Sequence, residues 1–272
     1  MRFSIDARLH YRFTDPCEVL LLIEAARTSE QRVVSEDLRL SVGDTVGSVE
    51  PASGERRTLF DARGDVEISY TAEVEVARPD PAIAGAAVCR IRDLPDEALP
   101  YLRPSRYCPS DRFEALARRR FAGLEGGAKV AAILAFVHDH LAYESGASDP
   151  FTTACETFVG GAGVCRDFTH LAISLCRAAD IPARAVSAYA WRLDPPDLHA
   201  VVEVFLEGRW RLADPTGMAP VEGLIRVATG RDAADIAFMS IFGRGEMVSQ
   251  SFAVRQATAS AAGPGGNAAV VA

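Results

Sequence analysis

The sequence predicts an α+β fold, with helices packed on an antiparallel sheet, preceded by an all-β, sandwich-like N-terminal domain. Three observations predict it. Residues 1–92 carry short alternating runs rich in Val, Ile and Leu, separated by turn signals. Prolines at 95, 100, 104 and 109 then forbid a long helix. Beyond them the apolar period becomes helical and afterwards strand-like. Helices followed by strands is the order of an α+β domain.

In RFSIDARLHYRF, Phe3, Ile5, Ala7 and Leu9 alternate with polar residues, as on a half-buried strand. CEVLLLIEAA, QRVVSEDLRL and ISYTAEVEV are further strands, with SVGD, PASGE and DARGD as turns between them. Residues 93–110 form a proline-bearing linker. A helix capped by Ser110 or Asp111 runs to about Phe121, and its Arg118-Arg119-Arg120 run is a solvated face. In GGAKVAAILAFVHDHLAYES, Val130, Ile133, Leu134, Val137 and Leu141 fall on one helical stripe. Residues 145–163 are expected to be a loop. A third helix covers about 165–179 and is stopped by Asp180-Ile181-Pro182. ARAVSAYAW, HAVVEVFLE and RWRLAD supply the strands of this second domain, which spans 111–254. The Ala/Gly-rich residues 255–272 lack the large side chains that offset ordering entropy and are expected to form a flexible tail.

Composition narrows the function. The chain has 272 residues, a formal net charge of −8, and Lys129 as its only lysine. That balance argues against nucleic-acid or anionic-membrane partners, which need clustered positive charge. The opening MRFSIDARLHYRF has no apolar signal core, and no run reaches the roughly 18 apolar residues of a membrane span. A cytoplasmic protein is expected. Its six cysteines, Cys17, Cys89, Cys108, Cys155, Cys165 and Cys176, form no CxxC pair and are expected to be reduced thiols. No metal-ligand spacing appears: His138 and His140 diverge on a helix, and no calcium-loop pattern occurs. No cofactor is called for.

The chemistry centres on GVCRDFTH, residues 163–170. Cys165 opens a helix, where the dipole and unsatisfied N–H groups favour a thiolate and can receive an oxyanion. Cys176, toward the end of the same helix, has the profile of an inert core thiol. Asp167 lies in the first turn and complements the dipole. His170, five residues after Cys165, diverges from it by about 140° and is a packing or surface histidine rather than a base. The base candidate is His199, at the start of HAVVEVFLE. If Glu207-Gly208 form a two-residue hairpin, Leu206 pairs with Arg209, His199 faces Thr216, and Asp214 lies on the diagonal of the same face. Asp214 can then accept a hydrogen bond from the imidazole. Trp191 offers an indole N–H as an oxyanion candidate or serves as a core or cleft-wall residue.

Together, G-V-C-R-D-F, then D-L-H-A-V-V-E-V-F, then W-R-L-A-D-P-T resemble the transglutaminase-like superfamily, and its bacterial branch of candidate cysteine proteases in particular. The order and spacing of Cys165, His199 and Asp214 match that pattern. IPARAVSAYAW and GRDAADIAF resemble the same branch, and YLRPSRYCP and the N-terminal region resemble its preceding β-rich module. The stretch SVGDTVGSVEPASGERR departs from that module, lacking its Asp-x-x-Gly-Asn turn. The resemblance implies a papain/transglutaminase-like catalytic core. It also implies Cys165 as nucleophile, His199 as base and acid, Asp214 as orienting residue, and the Cys165 N–H as one oxyanion donor. The implied reaction is acyl transfer from a protein or peptide amide through a thioester, with hydrolysis favoured over cross-linking. A binding module of the same fold without catalysis is the alternative.

Overall fold

The computed structural model describes residues 1–78 and 82–257. The expected tail lies outside the described residues from position 258 onward. The N-terminal strands are β1 (Arg2–Leu21), β2 (Gln31–Leu40), β3 (Thr45–Val49) and β4 (Arg56–Val76). β1 and β4 pair along nearly their whole length. Every second residue of β1 from Phe3 to Phe13 is buried, as is every second residue of β4 from Val66 to Val76. Period-two alternation puts one full face of these strands into the core.

Two strand assignments change. RFSIDARLHYRF and CEVLLLIEAA are one strand, not two, and DARGD lies inside β4 rather than at a turn. The β1–β4 register shifts between Phe13 and Cys17, opposite Ala62–Gly64. Pro16 has no N–H for the ladder, and Gly64 adopts φ +68°, so the mismatch is absorbed as a bulge and the strands continue.

The rest of the chain contributes α1 (Glu114–Arg120), α2 (Gly126–His140), β5 (Ala142–Tyr143), α3 (Ala154–Gly160), β6 (Ala162–Gly163) and α4 (Cys165–Ala178). There follow β7 (Ala183–Ala190), β8 (Leu198–Leu206), β9 (Arg209–Ala213), β10 (Leu224–Gly230), α5 (Ala233–Ile236), β11 (Met239–Phe242) and β12 (Gly245–Gln256). β10-β7-β8-β9 form an antiparallel sheet. The helix expected from Ser110 or Asp111 starts as a 3₁₀ turn and is capped by neither side chain. The segment expected to be a loop at 145–163 contains α3. Its start is a capping box: Glu156 Oε2 accepts from the Thr153 N–H at 2.6 Å and from Thr153 Oγ1 at 2.8 Å.

The C-terminal strands return to the N-terminal sheet. β12 pairs with β1 from Phe3 to Phe13, and β11 pairs with its last four residues. Residues 239–254, grouped by the sequence with the second domain, therefore belong to a six-stranded sheet with β1–β4. The all-β N-terminal part is thus built on two long strands, β1 and β4, where short strands were expected. One continuous core joins Phe3, Ile5 and Leu9 of this sheet to Ile133, Leu171 and Ile173 of the helices.

The seam between the two sheets is polar. Gln31 Nε2 donates to the Arg226 carbonyl at 2.8 Å, while its Oε1 accepts from the Arg226 N–H. The Arg226 side chain pairs with Glu203 and Glu30, and Tyr189 Oη donates to the Ile23 carbonyl at 2.6 Å. The helix and sheet that carry the candidate residues are thus fixed to the N-terminal strands.

Candidate active site

Cys165 is the first residue of α4, after an extended Val164. Asp167 holds that terminus: its Oδ2 accepts from the Val164 N–H at 2.9 Å and from Ser148 Oγ at 2.5 Å. Gly163 is required beside it. A Cβ there would come within 2.6 Å of the Asp167 Cβ. One turn into the helix, Thr169 Oγ1 donates to the Ala200 carbonyl at 2.9 Å. This bond ties the Cys165 face of α4 to β8 next to His199.

The β8–β9 hairpin turns at Glu207-Gly208, both with positive φ, and pairs Leu206 with Arg209 as the two-residue loop requires. Ladder pairing ends at Val202 and Ala213, so Asp214 is free to bend toward His199. His199 Nε2 lies 3.0 Å from Asp214 Oδ2. The two side chains are 1% and 2% exposed. Asp214 also accepts from the Thr216 N–H, Thr216 Oγ1 and the Ala219 N–H at 2.7–3.0 Å. Burial alone would raise the Asp214 carboxyl, but the bonds from His199 and Thr216 hold it below its ordinary value.

With Nε2 turned to Asp214, Nδ1 is the His199 nitrogen left for another partner, and Cys165 lines the same cleft. Burial by itself lowers the His199 pKa. The bonds to Asp214 and Cys165 overcome it and push the pKa up to about 9. A histidine held protonated beside a cysteine and backed by a carboxylate is an arrangement that suits thiol chemistry.

The sequence reading missed Tyr143. It sits on β5, which pairs in parallel with β6 so that Tyr143 lies opposite Gly163. Its side chain interacts electrostatically with both the backbone N–H and the thiol of Cys165. Burial, and after it the neighbouring Cys165 side chain, push the phenol up to about 12, so it remains an O–H donor. Two residues of pairing between distant segments leave no periodic signal, and Tyr143 follows the helix stripe as an apparent apolar extra.

Trp191 takes the packing role. Its ring packs at a 51° tilt against Phe3, centroids 5.8 Å apart, and lies under the Arg192 guanidinium; its Cβ fits against Gly223, and it does not line the cleft. His170 is buried beneath the site. Its Nε2 accepts from the Ala233 N–H at 3.1 Å and its ring lies parallel to Tyr107 at 5.2 Å. Burial pushes its pKa down to about 4, which keeps it neutral. Cys108 and Cys176 are fully buried, and burial pushes both thiols up to about 12.

A cleft of about 480 Å³ opens over the cluster, lined by Cys165, His199, Asp197, Arg166, Phe238 and Met239 among others. A larger groove, about 680 Å³, lies on the N-terminal sheet and shares only Gln250 with the cleft. Among the described residues no group of His, Cys, Asp and Glu could hold a metal ion, and no helix is long and apolar enough to cross a membrane.

Comparison with known proteins gives the same grouping. Residues 115–215 match the core domain of the Transglutaminase-like superfamily. A candidate cysteine protease from Cytophaga hutchinsonii, known as a crystal structure, is 34% identical. It superposes with a TM-score of 0.86 over 94% of this chain and 90% of its own. The uncharacterized protein ML0607 of Mycobacterium leprae is 27% identical over 198 residues, 66% of this chain and 70% of that protein. The periplasmic domain of TgpA from Pseudomonas aeruginosa is 18% identical over 79% of this chain and 77% of its own, at a TM-score of 0.40.

Proposed function

The chain belongs to the transglutaminase-like superfamily, and from that premise we propose that it is a thiol-dependent acyl-transfer enzyme that hydrolyses peptide or side-chain amides. One observation carries the reading. Three residues far apart in the chain come together as a series: Cys165 and His199 line one cleft, and His199 lies 3.0 Å from Asp214. A nucleophile, a base and an orienting carboxylate in that series suit nucleophilic acyl chemistry.

In the proposed cycle the Cys165 thiolate attacks the amide carbon, and the carbonyl electron pair moves to oxygen. The Cys165 N–H and the Tyr143 O–H donate to that oxygen. Tyr143 thereby follows the charge from sulfur to oxygen. As the C–N bond breaks, the His199 imidazolium gives its proton to the leaving nitrogen. The amine departs and a thioester remains. Water then loses a proton to neutral His199 and attacks the thioester, and collapse releases the acid and restores thiolate and imidazolium. The similarity to the Cytophaga candidate protease supports water, rather than a second amine, as the acceptor.

The test is labelling of the intact protein with a neutral haloacetamide near neutral pH, mapped by mass spectrometry. Cys165 is expected to label well ahead of Cys108 and Cys176, whose thiols burial holds protonated, and His199→Ala is expected to abolish the preference. Equal or slower labelling of Cys165 sinks the reading. Screening peptide-amide libraries with and without a fluorescent primary amine then separates hydrolysis from transfer. Amine incorporation outrunning acid release would overturn the choice of water.

A further inference from the structure

We propose that Asp197 makes the cleft selective for substrates carrying a positive charge beside the reacting amide. This deepens the thiol chemistry proposed above and rests on it. Asp197 stands two residues before His199, on the loop that follows Trp191, and lines the cleft together with Cys165 and His199. Its Oδ1 accepts from the Leu198 N–H at 2.7 Å and lies 3.4 Å from Gln250 Nε2. Among the described residues, no hydrogen-bond donor reaches Oδ2, and no arginine, lysine or histidine forms an ion pair with the carboxylate.

The other charges around the cleft are spoken for. Arg166 also lines it, but its guanidinium donates to Ser148 Oγ, the Asp149 carbonyl and Asp167. The His199 imidazolium is paired with Asp214, which sits behind the ring under four donors. Tyr143 is a neutral phenol. Among the described residues lining the cleft, Asp197 is therefore the charge without an ion-pair partner, and it is exposed. The cleft walls partly desolvate the carboxyl and raise its pKa, against the Leu198 N–H and the His199 charge, which lower it. Ile236, Phe238 and Met239 form an apolar wall nearby. A charge beside low-dielectric walls acts more strongly than one in open water. A lysine or arginine side chain flanking the amide would supply the missing partner, and an acidic neighbour would be repelled.

Charged thiol reagents test this without a known substrate. Methanethiosulfonates react when the thiolate attacks the sulfenyl sulfur, forming a disulfide and expelling methanesulfinate. The full chain and its Asp197→Asn variant are treated with the trimethylammonioethyl (cationic), sulfonatoethyl (anionic) and methyl (neutral) reagents. Cys165 modification is followed by peptide mass spectrometry. Each rate is normalised to the neutral reagent and to the same reagent on glutathione. The cation-over-anion ratio is expected to exceed one in the wild type and to fall about tenfold in Asp197→Asn, the order of effect of one unpaired charge at close range. Asp197→Glu, which keeps the charge, is expected to retain it. If Asp197→Asn does not fold, the wild-type ratio must still decline as salt rises. A ratio unchanged in Asp197→Asn, or insensitive to salt, overturns the inference while leaving the thiol chemistry standing. Failure of the neutral reagent to prefer Cys165 overturns both.

Discussion

At the scale of single residues, the proposed chemistry makes turnover depend on the charge state of His199. The folded protein holds its imidazolium from the ordinary value of 6.5 up to about 9. The sign follows: this raised pKa adds stability that is complete below 6.5 and is lost as pH rises through 9. Loss of the imidazolium also removes the proton that the leaving amine needs, whereas alkylation needs only a thiolate. Amide turnover is therefore expected to fall above about pH 9 while Cys165 alkylation does not. Asp214→Asn removes one of the two hydrogen-bonding supports of the raised value, so the alkaline limb should move down by about a unit or more. Parallel pH profiles of turnover and alkylation check both, and a limb that stays put in Asp214→Asn would show that the carboxylate does not set it. Tyr143→Phe removes an O–H from beside the Cys165 N–H. Loss of an oxyanion donor costs on the order of 100-fold in kcat. Alkylation forms no oxyanion and should change far less. An equal loss in both reactions would assign Tyr143 to tuning the thiol instead.

At the scale of elements, the start of α4 is the most constrained joint. Asp167 can accept from Val164 and Ser148 only because Gly163 leaves room for it. Gly163→Ala must displace Asp167 or the strand carrying Tyr143, at a cost of about 1–3 kcal/mol for overpacking. Urea denaturation should show that loss together with slower Cys165 labelling. Full stability with normal labelling would mean the terminus has slack. This joint was legible in the sequence because its signals are local: a glycine approach, a cysteine and an acid within one turn. The hairpin that sets His199 was legible for the same reason, since Glu207-Gly208 fixes the register by itself. Helix α3 also carried a local signal, Thr153-x-x-Glu156, hidden by the short polar stretch around it. Tyr143 was not legible, because its position depends on pairing with Gly163 across α3.

At the scale of the whole molecule, the site is held by a core and a charge network that no local pattern announces. β12 alternates weakly, is largely exposed, and finds its partner β1 at the opposite end of the chain. The sequence therefore assigns it to the nearest domain rather than to its sheet. The seam between the sheets centres on Glu203, fully buried on β8. It bonds Arg184 at 2.7 Å and Arg226 at 2.5 Å, and Arg226 in turn reaches Glu30 at 2.7 Å. Burial would raise the Glu203 carboxyl, but the two guanidinium groups hold it below its ordinary 4.5. Its contribution is therefore present above pH 4.5 and lost as pH falls through the depressed value. Glu203→Ala takes the carboxylate from Arg184 and leaves the almost fully buried Arg226 with Glu30 alone, and is expected to cost about 3 kcal/mol at neutral pH. The cost should shrink in acid, where the wild-type carboxylate is itself titrated. Because Phe3 and Leu171 share one core, the loss should appear as a single shifted urea transition, the same by far-UV circular dichroism and by tryptophan fluorescence. If the N-terminal sheet instead unfolds separately at an unchanged midpoint, the Glu203–Arg226–Glu30 chain does not couple the two sheets, and the cleft does not depend on the N-terminal strands for its shape.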